Sequence, residues 1–125
     1  MEGNAVGRGK NSGLTLIELL VTLAILGVVM AIAVPLYSNY VQTGREGALV
    51  QNIATIEVFQ EDFRLRTGSY AAGSDAIADI GWSPQRDDGT TYAIASTDTD
   101  AYYEVTATGA DGTVVCRRFP DNVGC

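Results

Sequence analysis

The chain has 125 residues, a formal net charge of −7 at pH 7, no histidine and two cysteines. That length supports one modest domain with a thin core, and the acidic balance argues against a general binder of nucleic acid or anionic membrane. Without histidine the commonest general base and metal ligand is missing.

Residues 1–13, "MEGNAVGRGKNSG", carry Arg8 and Lys10, the last basic residues before Arg45. "GRGKNS" lacks the glycine and the Ser or Thr that a phosphate-binding loop requires, and no strand precedes it, which excludes that motif. From Leu14 to Leu36 the chain meets one charge, Glu18. The run is long enough to span a bilayer, which takes about 20 apolar residues. Arg8 and Lys10 stand before it, so the N-terminus is expected to stay cytoplasmic and the C-terminal part to be exported. Burying an ionised Glu at mid-bilayer costs on the order of 3 kcal/mol or more, so Glu18 needs a compensating partner. Gly27 and Pro35 weaken the helix, and Pro35 predicts a kink or break because it lacks an N–H and clashes with the preceding turn. Tyr37 and Tyr40 suit an interfacial position just past the span.

Beyond Pro35 the pattern becomes one-sided. Leu49, Ile53, Ile56, Phe59 and Phe63 recur at three- and four-residue spacing, while Glu46, Glu57, Glu61, Asp62 and Arg64 mostly lie off that stripe. The spacing predicts one nearly continuous helix from about Leu14 to Thr67, stopped by Gly68. A loop-rich stretch follows, with Trp82 expected on the helix or sheet and turns at Pro84 and at Asp87-Asp88-Gly89. Residues 90–97, 101–108 and 113–119 are β-branched and aromatic between short Asp, Thr and Gly connectors. They predict an antiparallel meander of three or four strands, hence an α+β fold.

Cys116 and Cys125 close the chain. An even count after a translocation-type N-terminus points to a disulfide in an oxidising compartment, with a reduced cytosolic pair as the alternative. A bridge here contributes roughly 2–3 kcal/mol. Arg117 and Arg118 are the only clustered positive charge after the leader, a candidate contact for a surface or DNA, with solvated or salt-bridged arginines as the plainer reading. Asp98, Asp100 and Asp111 form no complete calcium loop and suit ordinary turns, so no metal is expected. Glu61-Asp62 and Asp87-Asp88 are sequence neighbours rather than converging carboxylates, so no enzyme, catalytic residue or cofactor is expected.

A short basic leader ending in Gly13, then "LTLIELL", then a long apolar helix resembles a type IV pilin precursor. The motif covers about residues 8–40, and the helix–loop–sheet order with a cysteine-bounded end resembles the family in outline. Two departures stand out: Leu14 replaces the usual phenylalanine, and the leader is somewhat long for the commonest subclass. The resemblance implies the type IV pilin fold, a long N-terminal hydrophobic helix packed on a three- to four-stranded antiparallel sheet. Residues 1–13 become the prepilin leader, 14–36 the transmembrane and filament-core half of the helix, and 37–125 the globular pilin domain.

It further implies that prepilin peptidase cuts between Gly13 and Leu14 and methylates Leu14. Glu18 takes the family's glutamate position, pairing with the new ammonium of its own or a neighbouring subunit and setting the register of assembly. Gly27 and Pro35 fall where the helix bends or melts during assembly. The implied partners are like subunits in a helical filament, the peptidase, the inner membrane and the pilus assembly machinery, with DNA a further candidate. The implied place is the inner membrane, single-pass with a periplasmic C-terminus, and afterwards an extracellular pilus. The implied function is a structural pilus subunit serving adhesion, twitching motility or DNA uptake. The alternative is a pseudopilin of a type II secretion system, against which the cysteine pair speaks because resembling pseudopilins usually depend on calcium there. A plain membrane-anchored binding module would give Gly13 and Glu18 no purpose.

Overall fold

A computed structural model describes Gly3 and residues 13–125, so Arg8, Lys10 and most of the expected leader lie outside the described residues. After Asn39 the chain divides into two compact units. In the first, α1 (Leu16–Thr67) begins and continues through Gly27 and Pro35 without interruption. Pro35 has no N–H to give, so the carbonyl of Ala31 loses its helical donor although the helix does not end there. The large apolar side chains of this segment are exposed, from Leu14 at 70 % to Leu36 at 62 %.

The second unit holds the rest of α1, the short α2 (Ala76–Asp79), and four strands: β1 (Thr91–Ala95), β2 (Tyr103–Thr108), β3 (Val114–Phe119) and β4 (Val123–Gly124). They form one antiparallel meander in the order β1-β2-β3-β4. The long helix with an antiparallel sheet makes the α+β pilin fold. α1 stops where its C-cap glycine allows. Gly68 takes φ +94° and its N–H donates to the Arg64 carbonyl at 2.7 Å.

β1 and β2 are shorter than the propensity of their segments predicts, because the turn between them has its own bonds. The Ser96 hydroxyl donates to the Tyr102 carbonyl at 2.6 Å, and the N–H groups of Ala101 and Tyr102 both reach the Asp98 carbonyl. On β2 burial alternates, with Tyr103, Val105 and Ala107 fully inside. These face Leu49, Ile53 and Ile56 of α1 in one core with Tyr70, Ile80, Trp82, Ile94 and Phe119. Burying each such large side chain stabilises by about 1.5–3 kcal/mol.

One position of the expected stripe is corrected. Phe59 is 40 % exposed, and Gln60 occupies the buried face in its place at 0 %. Three and four residues after Ile56 are both close to its face, so spacing alone favoured the aromatic side chain. The decision comes from across the molecule. Gln60 donates to the Ala71 carbonyl at 2.7 Å and accepts from the Ala71 N–H at 2.9 Å, so its amide satisfies both backbone polar groups of that residue.

Candidate functional site

The N-terminal residues singled out in the sequence lie at and just before the start of α1. Gly13, Leu14 and Thr15 precede the helix, and the space around Gly13 is open. The Gly13–Leu14 peptide bond therefore lies in non-helical, exposed chain. Thr15 and Glu18 bond reciprocally: the Glu18 N–H donates to Thr15 Oγ1 at 3.2 Å, and the Thr15 N–H reaches Glu18 Oε2 at 3.4 Å. This is a capping box, which satisfies two N–H groups that an α-helix otherwise leaves bare. It also places a carboxylate in the first turn, where the helix dipole favours one. The helix consequently begins at Leu16 rather than Leu14. The signal is present in the sequence as Thr-x-x-Glu, Thr15 to Glu18. Thr22 adds a bond from its hydroxyl to the Glu18 carbonyl at 2.7 Å.

Downstream, α1 contains an 18-residue window of mean hydropathy 2.7 with none of it buried, long and apolar enough to cross a membrane. Gly27 has nothing within 4 Å of where a Cβ would stand. Glu18, Gly27 and Pro35 thus lie along one uncovered apolar helix and are not gathered around a common cavity.

The C-terminal cysteines are joined. β3 and β4 pair Arg117 with Gly124, and continuing that register by one residue sets Cys116 opposite Cys125, with Cα atoms 5.4 Å apart. The arginines beside them separate. Arg118 donates from Nε to Glu104 at 2.8 Å and lies 5.1 Å over the Tyr102 ring. The Glu104 carboxylate raises the Arg118 pKa further, chiefly through that hydrogen bond. Arg117 is half-buried and paired with Val105 across the sheet, so the two guanidinium groups point to opposite faces of β3.

The candidate metal carboxylates also have other occupations. Asp111 accepts from the Thr113 N–H and hydroxyl and from Arg45 at 2.8 Å, in that order the causes that hold its carboxyl below the usual range. Asp98 accepts from the Asp100 N–H at 3.2 Å in a different turn. Among the described residues no three Asp, Glu, His or Cys gather as ligands would. At the end of α1, Arg64 donates to the Tyr70 hydroxyl at 2.7 Å, and that hydroxyl donates to Glu61 at 3.0 Å. Burial first, and then Glu61, push the Tyr70 phenol up.

Comparison with known proteins matches both parts of the chain. Residues 8–34 match a family profile described as the prokaryotic N-terminal methylation motif. Residues 35–120 match one described as type IV minor pilin ComP, DNA uptake sequence receptor. A curated relative, the type IV major pilin protein PilA of Myxococcus xanthus (strain DK1622), is 29% identical over 87 residues, covering 70% of this chain. The chain spans 38% of that relative's length.

Proposed function

Since the chain belongs to the type IV pilin family, we propose that it is a structural subunit of a type IV pilus, held in the inner membrane until its apolar helix enters a filament. The observation that carries this reading is the apolar stretch of α1, exposed throughout and marked near its start by one carboxylate. Such a surface needs either lipid or like helices around it.

On this reading prepilin peptidase removes residues 1–13 and methylates Leu14, whose ammonium keeps its charge. Glu18 then stands about one helical turn from that cation. In an apolar bundle neither charge is stable alone, so pairing between neighbouring subunits sets axial register. The association is heterologous and open, as a filament requires. Gly27 and Pro35 supply the place where the helix unwinds during assembly. Residues 37–125 form the globular part, closed by the Cys116–Cys125 bridge.

The capping box sharpens the test. Glu18→Gln keeps the box, because Gln serves at that position as Glu does, but removes the charge. The expected result in native cells is processed subunit in the membrane fraction and no surface filament. Filaments at the parental level would overturn the charge-pairing account.

A role in DNA uptake is favoured by the description of the family matched over residues 35–120. The net charge of −7 and the engagement of Arg118 by Glu104 weigh against a broad DNA-binding face. Arg117→Ala in transformable cells separates the two. A fall in uptake with filaments intact supports the receptor role, and unchanged uptake removes Arg117 from it.

A further inference from the structure

A groove in the second unit lies between Gln51, Asn52, Thr55 and Phe59 of α1 and Trp82 and Gln85 of the following loop, enclosing about 260 Å³. Its lining contains no charged residue, although the chain carries a net charge of −7. A second cavity, by contrast, is lined by residues that include Arg45, Asp88 and Asp111, and Arg45 and Asp111 neutralise one another.

The floor of the uncharged groove is fixed by its own bonds. Trp82 Nε1 donates to the Thr55 hydroxyl at 2.9 Å, and that hydroxyl donates to the Asn52 carbonyl at 2.7 Å. Asn52 Nδ2 donates to the Tyr92 hydroxyl at 2.7 Å, and the Trp82 and Tyr92 rings meet edge-on at 4.7 Å. The rim is different. Among the described residues the exposed side-chain amides of Gln51 and Gln85 have no hydrogen-bond partner in the protein. Phe59, excluded from the core by Gln60, leaves much of its ring open beside them.

This combination selects a ligand class. A carboxamide both donates and accepts, and so does a sugar hydroxyl. An open aromatic ring offers an apolar face to the C–H side of a pyranose. An ionic ligand finds no counter-charge, and a purely apolar one would strip water from the amides without replacing it. We propose that this groove binds the end of a neutral saccharide, about one or two rings in so small a cavity. The proposal goes beyond the pilus-subunit reading and concerns a surface that exists whether or not the chain assembles.

Trp82 is the only tryptophan, so its emission reports on the groove directly. The full-length chain, in a zwitterionic detergent without a sugar headgroup, is titrated with lactose, N-acetyllactosamine and chitobiose, and with sialyllactose as the anionic probe. The expected result is a saturable change in Trp82 emission with at least one neutral sugar in the millimolar range, absent with sialyllactose. Gln51→Ala or Gln85→Ala, both at exposed positions, is expected to weaken it about fivefold. No saturable response to any neutral sugar would overturn the proposal, as would a response undiminished in both variants. Acrylamide quenching of Trp82 that is lost when filaments form would also overturn it, by assigning the groove to a neighbouring subunit.

Discussion

Tyr103 is wholly buried, and its hydroxyl has no partner among the described residues. Removing that group removes a desolvation cost without orphaning anything, so Tyr103→Phe is expected to be neutral or up to about 1 kcal/mol more stable in thermal unfolding. Burial, followed by the carboxylates of Glu57 and Glu61, pushes the Tyr103 phenol up. The folded chain therefore keeps a proton that the unfolded chain releases above about pH 10. This contribution is complete below the unfolded value and is lost as pH rises towards the folded one. The alkaline limb of unfolding, followed by circular dichroism, is expected to be shallower in Tyr103→Phe, and equal slopes would refute the assignment. Asp111 works in the opposite sense. Its carboxyl is depressed by Thr113 and then Arg45, so its contribution is present above the usual carboxylate range and lost as pH falls through it. Asp111→Asn is expected to flatten the acid limb.

At the scale of elements, two fasteners hold parts of the thin core in place. Gln60→Ala orphans both backbone polar groups of Ala71 and leaves a cavity, at an expected cost of about 2–4 kcal/mol in denaturant unfolding. A cost below that of an ordinary surface change would show that the loop does not depend on Gln60. Cys116→Ser with Cys125→Ser is expected to cost about 2–3 kcal/mol. The long helix and the meander were legible in the sequence because their signals are local: a run of apolar residues, β-branched segments and short turn connectors. Gly68 as the helix stop was equally local. Phe59 and Gln60 were not separable, because the backbone groups that choose Gln60 are supplied by Ala71 after the chain reverses. The pairing of Arg45 with Asp111, 66 residues on, left no local trace either. The capping box is local too, three residues from Thr15 to Glu18, although an apolar run around a carboxylate carries the stronger signal of a membrane span.

For the whole molecule, the two units pose different physical problems. The second has its own core, while among the described residues the apolar window of α1 is wholly unburied. The family was legible because its motif, matched over residues 8–34, sets basic residues, one carboxylate and a long apolar run in consecutive chain. The finer role was not, because adhesion, motility and DNA uptake differ in surface chemistry that this acidic chain carries only sparsely. On the proposed reading the leader is cut between Gly13 and Leu14 and the remaining chain assembles. Intact-mass and N-terminal analysis of protein sheared from native cells tests it most directly. The account predicts an abundant species beginning at N-methyl-Leu14 with Cys116 and Cys125 bridged. A chain still carrying residues 1–13 in cells with an active prepilin peptidase would contradict it.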